Sequence, residues 1–233
     1  DGKRLTLIDT GIGNKQSEKF FSHYDLHGDD TLDLSLAALG FHRNDITDVF
    51  LTHLHFDHCG GAIERDEKTG MYVPAFPNAH YWSNERHWEW ATKPNARERA
   101  SFLSENIVPI QESGQLKFIA REGDSSSSGL GFDVLFMDGH TDSMMLPLIE
   151  YHGKRVCFMA DLLPSVGHIP LAYVMGYDTR PLLTLEEKGR FLERAVREEW
   201  VLFYEHDAVN ECSTLIQTEK GVRVGEVMRL EEI

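Results

Sequence analysis

The 233 residues are enough to bury a substantial core and suit one large domain. With 41% hydrophobic and 26% charged residues, and no apolar run of bilayer length, the composition excludes a membrane span. The 38 acidic against 23 basic residues leave a formal charge of -15, which repels a phosphate backbone and disfavours nucleic acid as a partner.

Cys59, Cys157 and Cys212 form no C-x-x-C pair, so neither a disulfide framework nor a cysteine zinc site is expected, and a reducing, cytoplasmic setting fits best. The opening at Asp1, with an apolar run a few residues later, reads as a single domain over residues 1–233 that lacks its first strands. A removed export leader is compatible with the same opening.

In chain order, the apolar residues 5–8 read as a strand closing in the turn Asp9-Thr10-Gly11, with a short helix expected over 15–24. Leu32, Leu36 and Leu39 recur at helical spacing before Gly40, a C-terminal stop. The run DVFLT at 48–52 predicts a buried strand. Residues 78–110 carry a strand-like NAHYW, a Ser83-led segment, and a helix from Ala96 that should stop near Pro109.

The polar stretch 123–129 (GDSSSSG) reads as a flexible linker. Three strands follow at 132–137, 146–152 and 156–159, with His140 and Asp161 just after the first and third. An amphipathic helix is expected over 185–200, then a strand at 201–204 ending at His206.

The run His53-Leu54-His55-Phe56-Asp57-His58-Cys59-Gly60-Gly61 places three imidazoles and a carboxylate within six residues. These donors suit zinc, iron, manganese or cobalt, and the scarcity of Cys favours a catalytic over a structural metal. In an extended segment, 53, 55 and 57 share one face and His58 points elsewhere, so one loop can feed two metals. Gly60 and Gly61 remove bulk, which would let a helix begin close to the metals.

With this H-x-H-x-D-H signature, and with Gly139-His140-Thr141, Ala160-Asp161 and Glu205-His206-Asp207 following in order, the chain resembles the metallo-β-lactamase fold superfamily. The resemblance implies an α+β fold, a four-layer αββα sandwich of two mixed sheets flanked by helices. It implies that His53, His55 and His140 hold one metal, that Asp57, His58 and His206 hold the other, and that Asp161 bridges them. Asp9 and Thr141 would support the ligands from behind.

Two divalent ions about 3.5–4 Å apart acidify a shared water and polarise the attacked group, with Asp57 or Asp161 as proton shuttle. Zinc is the first choice of metal; manganese, iron or cobalt also suit the donors. His55 stands where the oxygen-reducing di-iron branch has Glu, and Asp161 stands where true lactamases have Cys or no ligand. The resemblance therefore points to hydrolysis of a neutral lactone, carboxylic ester or phosphotriester, in the branch of lactonases and methyl parathion hydrolase.

A glyoxalase II-like thioesterase and a mononuclear iron persulfide dioxygenase of the same fold are the alternatives. Lactonases usually carry a Tyr three residues after the bridging Asp; Pro164 stands there, with Tyr173 or Tyr177 as substitutes. Phe76, Trp82, Trp88, Trp90, His168 and Tyr173 are expected around an apolar pocket for a small-molecule substrate. The aromatic 76–90 region suggests a homodimer contact.

Overall fold

The computed structural model describes residues 2–233. They divide into two compact units, the first ending at Phe118 and the second running from Ile119 to Ile233.

In the first unit, β1 (Thr6–Ile8) leads to the one-turn α1 (Glu18–Phe21) and to α2 (Leu32–Ala38). Helix α2 starts where the Thr31 hydroxyl accepts the Leu34 N–H at 3.2 Å, and it gives way to Gly40 at φ +81°, as its leucine spacing and glycine stop predict. Then come β2 (Asp48–Phe50), α3 (Phe56–Cys59), β3 (Ile63–Arg65), β4 (Tyr72–Pro74), β5 (His80–Ser83), α4 (Glu85–Thr92), α5 (Ser104–Glu112) and β6 (Leu116–Phe118).

Strands β1, β2, β5 and β6 form a sheet in that order, with every pairing parallel, and β3 and β4 form a separate antiparallel pair. The core of this unit gathers Val49, Leu51, Leu54, Phe76, Tyr81, Trp88, Ile107 and Ile110, all buried.

Two expectations fail here. The helix expected from Ala96 begins only at Ser104 and carries Pro109 inside it, ending three residues later at Glu112. Proline removes one internal hydrogen bond, and packing of the buried Ile107 and Ile110 outweighs that loss. The helix after β5 is capped by Asn84, whose side chain accepts the His87 N–H at 2.9 Å, while Ser83 belongs to the strand.

The second unit holds β7 (Ser125–Ser127), β8 (Asp133–Met137), β9 (Met144–Tyr151), β10 (Lys154–Phe158), α6 (Pro181–Arg197), β11 (Val201–Phe203), β12 (Cys212–Thr218) and β13 (Gly221–Met228). Its seven strands run in the order β13-β12-β11-β10-β9-β8-β7, antiparallel except for the parallel pair of β10 with β11. The stretch expected to be a flexible linker is the edge strand β7, in register with β8 from Ser125 opposite Leu135 to Ser127 opposite Asp133.

Helix α6 starts on Pro181 and buries Thr184, Glu187, Lys188, Phe191, Leu192 and Ala195 at helical spacing. It packs on β12 and β13, and Phe191, Leu192 and Ala195 join the core around Leu146, Met159 and Leu202.

Candidate metal centre

The fully buried β2 hands the chain to the histidine loop, and Leu51 continues the sheet by donating its N–H to the Trp82 carbonyl at 3.0 Å. His55 is the N-cap of α3, so the segment turns helical immediately after it. Extended alternation therefore stops at residue 55. The His53 ring packs against His55 and His58, with centroids 4.6 and 3.9 Å away, and all three rings are buried. Asp57 Oδ2 lies 3.8 Å from His58 Nε2, with its side chain 37% exposed.

Asp9 organises this loop. Its backbone sits at φ +53°, and its N–H donates to the Phe50 carbonyl at 2.9 Å. One carboxylate oxygen accepts the Thr52 N–H at 2.7 Å; the other accepts the Thr52 hydroxyl at 2.7 Å and lies 2.9 Å from His58 Nδ1. A carboxylate on Nδ1 fixes the tautomer and leaves Nε2 as the ligand atom.

The glycines after the ligands serve a different neighbour from the one expected. A Cβ on Gly60 would meet the Ile12 carbonyl oxygen at 2.1 Å, and one on Gly61 would meet the Thr10 carbonyl oxygen at 2.2 Å. They admit the turn after Asp9, which Thr10 ties down by donating its N–H to the His58 carbonyl at 2.8 Å.

Two further residues touch the ligand loop from outside the signature. The Leu54 N–H donates to His87 Nε2 at 2.9 Å, which requires a neutral His87 with its proton on Nδ1. The carboxylate of Glu98 lies 3.6 Å from His55 Nε2. Neither carried a motif that would have singled it out.

In the second unit, His140 follows β8 and is buried, with Nδ1 3.0 Å from Asp178 and Nε2 3.1 Å from Asp161 Oδ2. The other Asp161 oxygen lies 3.1 Å from His206 Nε2. Asp161 thus presents one oxygen to each of two imidazoles. Burial disfavours the His140 imidazolium, yet Asp161 and Asp178 together push it up to about 9.

The turn beneath His140 is anchored on α6. The Glu187 carboxylate accepts the N–H groups of Asp138 and Gly139 at 2.7 and 2.9 Å, and a Cβ on Gly139 would meet Thr184 Oγ1 at 2.4 Å and its N at 2.5 Å. Thr141 is fully buried beside His140.

The proposed pocket residues do not behave as one group. Phe76 and Trp88 are buried in the core of the first unit, a correction to their expected pocket role, because apolar rings on this packed face gain more from the core than from solvent. Trp82 is half-buried and donates its indole N–H to Asp48 at 2.8 Å, and Trp90 donates to Glu98 at 2.7 Å. His168 is half-buried with Nδ1 2.9 Å from the Ser165 hydroxyl, and Tyr173 and Tyr177 are exposed.

The donors of each unit suit a metal: in the first, buried imidazoles cluster with a carboxylate on Nδ1 of His58, and in the second, a carboxylate on Nδ1 of His140 accompanies another that faces two imidazole nitrogens. The profile of the family described as "Metallo-beta-lactamase superfamily" matches residues 1–206, and the chain belongs to that superfamily.

Among curated proteins, the chain is similar to the Bacillus subtilis (strain 168) protein named Probable metallo-hydrolase YqjP, 25% identical over 166 residues. That match takes in 66% of the chain and 49% of the relative, so the chain spans about half of that protein's length. It is also similar to an N-acyl homoserine lactonase of Bacillus cereus, 24% identical over 94% of the chain and 79% of the relative. Among solved structures, a dizinc quorum-quenching lactonase, AidC, in complex with a product, superposes with a TM-score of 0.76 at 21% identity, over 98% of the chain and 78% of its own.

The fold is therefore the metallo-β-lactamase fold, of the α+β class. Among the described residues, no helix is long and apolar enough to cross a membrane.

Proposed function

We propose that this chain is a dinuclear metal-dependent hydrolase of neutral lactones, with carboxylic esters and phosphotriesters as further substrates of the same centre. The observation that carries the reading is Asp161, with one oxygen toward His140 and the other toward His206, while Asp178 backs His140. A carboxylate shared between two imidazole nitrogens suits a residue shared between two cations.

On this reading His53, His55 and His140 hold one cation, Asp57, His58 and His206 the other, and Asp161 both. Zinc ions there would supply Lewis acidity and a water acidic enough to ionise near neutral pH. Asp9 and Asp178 keep Nδ1 of their histidines engaged, so the ligand nitrogens need no reorientation. Asp57, the most exposed carboxylate of the set, carries the proton to the departing alkoxide.

Lactones are the preferred substrate class because lactonases appear both among the curated relatives and among the similar structures. Pro164 stands three residues after Asp161, so that position supplies no phenol; Tyr173 and Tyr177, both exposed, are candidates for that part.

The test is elemental analysis of protein purified with zinc, together with a panel of acyl homoserine lactones, aryl esters, thioesters and phosphotriesters. Two metals per chain and lactone turnover abolished by chelation are expected. Full metal loading with no turnover across the panel overturns the reading. A single iron with oxygen uptake on a thiol substrate replaces it with the dioxygenase alternative.

A further inference from the structure

We propose that the cavity between the end of α4 and the start of α5 binds a carboxylate carried on an apolar chain, with Lys93 and Arg99 answering the head group and Phe102, Ile107 and Val108 the chain. The inference goes beyond the hydrolytic reading above, and its binding test is independent of that reading.

The cavity arises where α4 is made to stop. Lys93 caps that helix at φ -127° and ψ 57°, outside the helical region, as suits a residue that precedes Pro94. The chain then enters a turn held by Asn95. Its side-chain oxygen accepts the N–H groups of Arg97 and Glu98 at 2.8 and 3.1 Å, and its carbonyl accepts that of Arg99 at 3.0 Å. This turn brings Arg99 to the cavity that Lys93 already borders, before α5 opens at Ser104.

The space measures about 540 Å³, within the roughly 300–1,000 Å³ of small-molecule pockets. Phe102 and Ile107 in its wall are 5% and 1% exposed and belong to the core of the first unit, whereas Val108 is 40% exposed, so the cavity runs from dry floor to wet rim. No acidic side chain lines it. The Ser104 hydroxyl, also in the wall, donates to the Glu105 carboxylate at 3.3 Å. Lys93 and Arg99 are exposed, and neither side chain has a hydrogen bond or ion pair among the described residues.

On a chain of formal charge -15, two unpaired cations beside a lining without acids are a local exception. The overall charge repels anions at long range, so an anion that binds here must gain from contact at this place. An inorganic anion would leave the apolar wall wet, and an uncharged molecule would leave the cations unanswered. A carboxylate with an apolar chain meets both. Hydrolysis of a neutral ester or lactone leaves a carboxylate, so the cavity takes the chemical class of the product and not of the substrate. The Phe102 ring also packs 4.7 Å from that of His55 and 5.9 Å from that of His87, so the cavity wall and the histidine loop share one ring.

The test is calorimetric titration of zinc-treated and chelator-treated protein with octanoate, acetate and octanol, in wild type and in K93Q/R99Q. Octanoate should bind more tightly than acetate or octanol, with or without metal. The double variant should lose about 10-fold or more in octanoate affinity and keep its octanol affinity. Both substituted side chains are exposed and unbonded, so circular dichroism and melting of the variant should match wild type. Equal octanoate affinity in the two proteins overturns the proposal, as does acetate that binds as tightly as octanoate. Octanoate binding that vanishes on chelation belongs to the metal centre and overturns it too. The hydrolytic reading survives each of these results, because it stands on metal content and turnover.

Discussion

His140 Nδ1 lies 3.0 Å from Asp178 Oδ1, with His140 in the turn between β8 and β9 and Asp178 near the end of the connection from β10 to α6. Asp178 reaches this position because Thr179 and Arg180 donate their N–H groups to the carbonyls of His140 and Gly139, at 3.1 and 2.9 Å. The chain just before α6 is thereby strapped to the chain just after β8, and the imidazole and the carboxylate behind it are set by backbone bonds.

Asp178→Asn should therefore keep the strap and lose the charge behind the imidazole. Zinc affinity is expected to fall about 10–100-fold, with melting of the metal-free protein changed far less. Chelator competition alongside thermal melting checks this, and equal zinc affinity in the two proteins would refute the role given to Asp178.

Asp9→Ala withdraws the acceptor from two Thr52 donors and from His58 at once, in a buried site. Leaving buried donors unsatisfied costs roughly 1–3 kcal/mol each, and a non-glycine residue at φ +53° adds strain that Asp tolerates better than Ala. Denaturant unfolding should show a loss of at least about 2 kcal/mol, together with a lower metal content per chain by elemental analysis.

Gly60→Ala and Gly139→Ala should both be severely destabilising, since each new methyl meets backbone atoms that cannot rotate away. Overpacking of this kind costs typically about 1–3 kcal/mol or more. Gly114→Ala is the contrast: no atom lies within 4 Å of its Cβ position, so only its φ of +77° is penalised. Melting temperatures should order the three, with Gly114→Ala the mildest.

Burial lowers the Lys188 ammonium from 10.5 to about 8, although it donates to the carbonyls of Pro170, Leu171 and Tyr173. The folded-state value lies below the unfolded one, so the unfolded chain binds more protons between pH 8 and 10.5, and this group adds stability as pH rises through that window. Below pH 8 the penalty is fully present. In urea unfolding across that range, wild type minus Lys188→Met should carry this upward slope; a flat difference would show that the lysine is not desolvated.

Much of the architecture was legible because local patterns carried it. The strands expected at 132–137, 146–152 and 156–159 appear as β8, β9 and β10, with ends displaced by no more than two residues, and the helix expected at 185–200 appears as α6 over 181–197. The apolar residues of these elements repeat at strand or helix period, and each buries the face that its pattern marks. Strand β7 escaped because three serines carry no such period; pairing with β8 makes it a strand.

The histidine loop was readable for a related reason: its three histidines and Asp57 lie within six residues, so chain connectivity alone keeps these candidate donors together. Asp9, His87 and Glu98 reach that loop, and Asp178 reaches His140, only through contacts between residues 33 to 49 positions apart. A lone Asp, Glu or His in a turn bears no mark of which partner it will meet. Donor chemistry and element periodicity are written residue by residue. Which carboxylate backs which imidazole, and which glycine must yield space to which carbonyl, is decided when distant backbone segments pack against each other, because only that packing sets distances between side chains the chain does not hold together.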